Sequence, residues 1–161
     1  MNPHIDTVDM KLLAELQRDA SLSTPELAVR IGLSQSPCWR RLQRLRAEGY
    51  IQSTVAIVDR RKFGFPLQIF AQLKMSRLTD ESRADLLRRI DATPEILECY
   101  TILGEMDLMM KVLVPDTTWY QQFLVSVLMK LPGVSEVHSV LTLSQMKSTT
   151  AIPLTTRKLK S

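Results

Sequence analysis

The chain has 161 residues, 45% of them hydrophobic and 24% charged, a balance that excludes a disordered or fibrous protein and leaves length for two small cores. No apolar run approaches a membrane span, and the N-terminus lacks a charged-then-apolar secretory pattern; both point to a cytoplasmic protein with no membrane partner. The net charge of +4 is modest, but residues 35–48 alone carry four basic side chains and one acidic, so the basicity is local, as in a reader of nucleic acid.

A first amphipathic helix is expected from Asp6 to Asp19, with Val8, Leu12, Leu13 and Leu16 on one face. Ser23-Thr-Pro-Glu26 has capping-box spacing and opens a short second helix with Leu27, Ala28 and Ile31 inward, which ends at Gly32. Ser34 is placed to cap a third helix, Pro37 falls in its first turn, and Gly49 supplies a stop. In that helix Cys38, Leu42 and Leu45 form the buried stripe, while Gln35, Ser36, Arg40, Arg41, Gln43 and Arg44 spread over the rest. Two short helices joined by a glycine turn, the second loaded with arginine, are the pattern of a helix-turn-helix whose second member enters the major groove. Arginine forks suit phosphate and guanine edges, and glutamine suits adenine. Ser23, Thr24 and Ser34 join those six as the candidate DNA contacts. Arginines also cover many helices that only face water; cap, glycine turn and second cap in this order favour the DNA reading. Trp39 is expected to cover the core edge or pack on the wing. The run 51–58 is short and β-prone, as expected of a wing or adjoining strand.

From Arg60 the texture changes to a polar connector with glycine and proline. Residues 67–75 then alternate as a strand, and Thr79 or Asp80 caps a helix to Asp91 with Leu86, Leu87 and Ile90 inward. Runs 96–103 and 108–114 read as a hairpin around Gly104-Glu-Met-Asp107, residues 115–130 as a helix, and 134–143 as a last strand after Pro132-Gly133. The order βαββαβ defines a ferredoxin-like domain with helices on one face of an antiparallel sheet. The whole is therefore α+β: a winged helix-turn-helix over residues 1–52, a linker strand over 53–65, a ferredoxin-like dimerisation domain over 66–150, which the family resemblance described below makes an effector domain as well, and a basic tail over 151–161. Apolar residues fall at both strand parities, at Ile96 and Leu97, Met109 and Met110, Val140 and Leu141. The uncovered sheet face is thus expected to be buried against a second subunit, which suits a reader of paired, pseudo-palindromic half-sites.

Catalytic chemistry finds no support: His4 and His138, the two histidines, have no serine or acidic partner at motif spacing, and no metal cluster or phosphate loop is visible. No cofactor is expected. Cys38 and Cys99 fall in different domains and read as free thiols, although the arginines near Cys38 leave a redox-sensing role open. A nucleoid-type architectural DNA binder without an effector is the other alternative.

Several segments together resemble the Lrp/AsnC family, the leucine-responsive or feast/famine transcription regulators. They are Asp9-Met-Lys-Leu-Leu-Ala-Glu-Leu-Gln-Arg-Asp-Ala20, Leu27-Ala-Val-Arg-Ile-Gly-Leu-Ser34, Pro37-Cys-Trp-Arg-Arg-Leu-Gln-Arg-Leu45 with Gly49-Tyr-Ile51, the hairpin from Glu98 to Val112, and Leu131-Pro-Gly-Val134. The resemblance implies dimers formed through the sheets, octamers assembled from dimers, and an amino acid or related metabolite bound between dimers near a Gly-x-x-Asp turn. That turn is Gly104-Glu-Met-Asp107 here; on its residues alone it could equally be a plain hairpin turn. Positions matching the family's effector-response region are Thr101, Leu103, Thr117, Val140, Leu141 and Thr142, alongside Gly104, Glu105, Met106 and Asp107. Leu103 and Met106 depart from the small hydroxyl and the aromatic residue common at those positions. They make the rim apolar, which suits an apolar or sulfur-containing amino acid.

Overall fold

The computed structural model describes residues 5–154. They form two compact units, one of residues up to Ile57 together with those from Lys147 onward, the other Val58–Met146. His4 and the basic run Arg157–Lys160 lie outside the described residues.

The first unit is built on three helices, α1 (Thr7–Arg18), α2 (Thr24–Ile31) and α3 (Gln35–Ala47). Asp6 starts α1 by accepting from the N–H groups of Val8 at 2.9 Å and Asp9 at 2.8 Å, while the Asp9 carboxylate reaches back to the N–H of Asp6; two free donors are satisfied reciprocally. At α2, Glu26 accepts from both the N–H and the hydroxyl of Ser23. Gly32 ends α2 at φ +72°, the left-handed conformation that lets the chain turn directly into α3. The stripes of the three helices meet in a core of Leu12, Leu13, Leu27, Ala28, Cys38, Leu42 and Leu45, with Tyr50 and Ile51 packed on it.

The C-terminal segment returns to this unit. Leu154 packs on its core, and the side-chain amide of Gln17 in α1 makes a two-point bond with Ile152, accepting from its N–H at 2.7 Å and donating to its carbonyl at 3.2 Å. Residues 52–58, the run expected as wing or linker strand, carry no strand ladder. A β-prone run becomes a strand only when it pairs with an edge that supplies hydrogen bonds, and this run pairs with none among the described residues. A tight turn over 59–65 follows, closed by Arg60, whose guanidinium donates to the carbonyls of Phe65 and Pro66.

The second unit is the expected sandwich. Its elements are β1 (Leu67–Met75), α4 (Asp80–Asp91), β2 (Ile96–Thr101), β3 (Leu108–Val114), α5 (Thr117–Ser126), a 3-10 turn (Leu128–Lys130) and β4 (Val134–Leu141), with sheet order β2-β3-β1-β4 and every pairing antiparallel. Ile69, Ala71 and Leu73 of β1 and Met110, Val112 and Val114 of β3 point into a core closed by Leu86, Tyr120, Phe123, Leu128 and Leu131. Three expectations shift in detail. The helix read over 115–130 is capped by Asp116 and breaks into α5 and the 3-10 turn. The last strand stops at Leu141, since the backbone and hydroxyl of Thr142 both turn to the Gln68 carbonyl. Leu87, expected inward, is 62% exposed, because Leu86 and Ile90 already fill the narrow face that α4 turns to the sheet. Gly133 adopts φ +77°, and a Cβ there would collide with the Leu78 side chain, so the residue after Pro132 has to be glycine.

Candidate nucleic-acid interface and ligand site

The exposed side of α3 divides in two. Arg41 donates to Asp6 at 2.6 Å and to Asp9 at 2.9 Å, and Arg44 bonds the other oxygen of Asp9. Asp9 is fully buried. A buried carboxylate is tolerable only when paired and hydrogen-bonded, so these two arginines are tied to α1 and fix how α3 sits on it. Their partners hold the Asp6 carboxyl below its ordinary range, chiefly through the Asp9 N–H and then Arg41. On the other side Gln35, Ser36, Arg40, Gln43 and Arg46 are exposed, and their side chains have no partner among the described residues. Of the remaining candidates, Ser23 is held by Glu26 and Thr24 is half-buried at the start of α2. Ser34 sits at the N-cap in extended backbone but makes no side-chain cap bond, which leaves its hydroxyl exposed. Trp39, expected against core or wing, is 53% exposed.

Sequence reasoning missed Asp6 and Asp9. Their signal was present: two acidic residues three apart at a helix start have the spacing applied at Ser23 and Glu26. The redox reading of Cys38 fails on geometry, since the thiol is fully buried and burial pushes its pKa up, away from the reactive thiolate.

In the second unit the hairpin turn projects from one end of the sheet. Leu103 is fully exposed, Gly104 and Glu105 are exposed beside it, and a Cβ on Gly104 would meet nothing within 4 Å. The backbone N–H groups of Leu103 and Gly104 have no acceptor among the described residues. Met106 is buried beneath them. Asp107 braces the turn: its carboxylate accepts from the Met75 N–H at 2.7 Å and lies 3.4 Å from Lys74 Nζ, its own N–H donates to Leu73, and Lys74 also donates to the Glu105 carbonyl. The Met75 N–H, aided by Lys74, lowers the Asp107 pKa. Asp107 thus shapes the turn, as the plain-hairpin reading of this motif allowed, through partners on β1 that the sequence did not indicate.

Thr101 ends β2 beside this turn. The other candidates lie elsewhere: Val140 pairs with Phe70, Leu141 with Ile69, Thr142 bonds Gln68, and Thr117 begins α5 just after the β3 residue opposite Leu67. The turn is anchored at Leu73–Met75, the far end of β1, roughly 20 Å away at about 3.3 Å per strand residue. One chain does not bring the ten positions together. A hollow of about 400 Å³ beside Trp119 and Phe123 and one of about 600 Å³ beside Arg88 and Pro132 take in none of them.

A helix-turn-helix unit with a free polar helix face, followed by a separate ferredoxin-like unit with a projecting turn, defines a DNA-binding regulator of two modules. Residues 5–52 match the family described as winged helix-turn-helix DNA-binding, and residues 68–152 match the Lrp/AsnC ligand binding domain. The chain is 35% identical over 150 residues to the DNA-binding transcriptional activator DecR of Escherichia coli, covering 93% of this chain and 99% of that one. Its identity to the leucine-responsive regulatory protein of the same species is 30% over 153 residues, covering 95% and 93%. Among solved structures it is similar to a Neisseria meningitidis transcriptional regulator in complex with L-Met, with TM-score 0.89, 31% identity and 93% and 97% of the two chains covered. An AsnC family regulator from Agrobacterium tumefaciens gives TM-score 0.88 and 32% identity, with the same coverage. The chain belongs to the Lrp/AsnC family. It is a DNA-binding transcriptional regulator, not an enzyme, and none of its described helices is long and apolar enough to cross a membrane.

Proposed function

We propose that this chain regulates transcription as a homo-oligomer whose assembly, and hence its hold on DNA, answers to an apolar or sulfur-containing amino acid bound where two copies meet. The separation of the candidate ligand residues carries this reading. The exposed turn at residues 103–107 lies at one end of the sheet, and Thr117, Val140, Leu141 and Thr142 lie toward the other, so a pocket using both needs a second chain. At the turn, the open amides of Leu103 and Gly104 suit a carboxylate, Glu105 can accept from an ammonium group, and Leu103 gives an apolar rim above the buried Met106. The complex of the Neisseria regulator with L-Met agrees with that rim. Two surfaces favour association. On the open sheet face Leu97 is 50%, Tyr100 49% and Val140 51% exposed, and Val55, Ile57 and Val58 in the unpaired run are 65–78% exposed, an apolar area that a second copy would cover.

The test is sedimentation of the full chain, alone and with millimolar L-methionine, L-leucine or L-aspartate, beside a thermal-shift measurement on the same samples. An oligomer whose size or melting temperature responds to methionine or leucine and not to aspartate is expected. A monomer at micromolar concentration would overturn the assembly, and an oligomer indifferent to every amino acid would leave a DNA-binding protein without this effector.

A further inference from the structure

Trp39 leaves half of a large apolar side chain in water. In a helix whose buried stripe is Cys38, Leu42 and Leu45, it stands outside that stripe, 53% exposed, and stacks on no other ring among the described residues. Leaving an indole in water forgoes the burial that large aromatics normally gain.

Its position on α3 gives it a use. Residues three and four apart share a helix face, so Trp39 stands in one patch with Gln35, Ser36, Gln43 and Arg46, with Arg40 adjacent, all exposed and without side-chain partners among the described residues. The opposite flank is occupied, Arg41 and Arg44 being bound to Asp6 and Asp9. When α3 of this DNA-binding protein enters a major groove, the unoccupied flank is the one able to face bases. Its other members offer hydrogen bonds; Trp39 offers an apolar plane. The major-groove edge of a base pair presents one apolar group, the 5-methyl of thymine.

We propose that Trp39 is a specificity-determining residue that reads thymine in each half-site by packing its indole on the 5-methyl group. This rests on α3 being the recognition helix, and the experiment separates the two ideas. A duplex is selected from a randomised library by the wild-type chain and remade with deoxyuridine for thymine at single positions, which deletes the methyl and nothing else. Wild type should lose about three- to tenfold affinity at one thymine per half-site, while Trp39→Ala should bind the two duplexes equally, at or below the wild type's affinity for the uridine form. Trp39→Phe should keep part of the discrimination. In a Trp119→Phe background Trp39 is the only remaining tryptophan, and its emission should change on saturation with the duplex. Far-ultraviolet circular dichroism and melting must match wild type, as expected for an exposed position. A thymine-to-uridine loss equally large in Trp39→Ala would overturn the assignment while leaving α3 as the recognition helix. Selection of no sequence at all would overturn both.

Discussion

Asp9 illustrates how one buried charge can organise a surface meant for another molecule. Its two carboxylate oxygens take one arginine each from α3, so side chains that look like DNA contacts are engaged within the protein. Arg40, one residue from Arg41, has no such partner among the described residues. The two kinds of arginine should behave oppositely. Arg44→Ala leaves a buried carboxylate with one partner fewer and should cost about 1–3 kcal/mol of stability, read by denaturant unfolding. Arg40→Ala should leave unfolding within about 0.5 kcal/mol of wild type and appear in DNA binding instead, either flattening the salt dependence by about one unit or relaxing sequence preference. Loss of stability in Arg40→Ala with intact DNA affinity would reverse these roles.

The β2–β3 hairpin shows what an element owes to a neighbour distant in sequence. Its turn is held by the end of β1, through the Met75 N–H and Lys74 on the Asp107 carboxylate. Because those partners lower the Asp107 pKa, the stabilisation is complete above the ordinary aspartate value and disappears as pH falls through the lower folded-state value. The melting temperature of wild type should therefore exceed that of Asp107→Asn by a constant margin above about pH 5, and the margin should close below about pH 4. A margin independent of pH would mean that the charge is not what holds the turn. The same contrast explains how much could be read in advance. Thr79 capping α4, the period-two alternation of β1 and the glycine ending α2 are local signals, and each was legible. Asp107 on Met75, Asp9 under Arg41 and Arg44, and Gln17 on Ile152 join residues 32 to 135 positions apart; no periodicity encodes such pairs. The candidate site followed suit: the arginine-rich α3 and the Gly104 turn were visible as motifs, whereas the separation of the candidate ligand positions along β1 depends on strand register, which no single strand states.

At the scale of the molecule, the first unit is made of two stretches of chain, with the whole second unit between them. Ending the protein at Met146 removes Leu154 from the core edge and the backbone partner of Gln17. About 1–3 kcal/mol of the helix-turn-helix unit's stability should go with them, detected as weaker hydrogen-exchange protection in α1; equal protection in the truncated chain would make the return segment ornamental. A ribosome delivers α1, α2 and α3 first, yet the strap that completes their packing is synthesised after every strand of the sheet. During its own translation, the part of the chain that grips DNA is the earliest to emerge and the latest to be finished, so each newly made copy acquires its full hold on the three helices only once its ligand domain already exists.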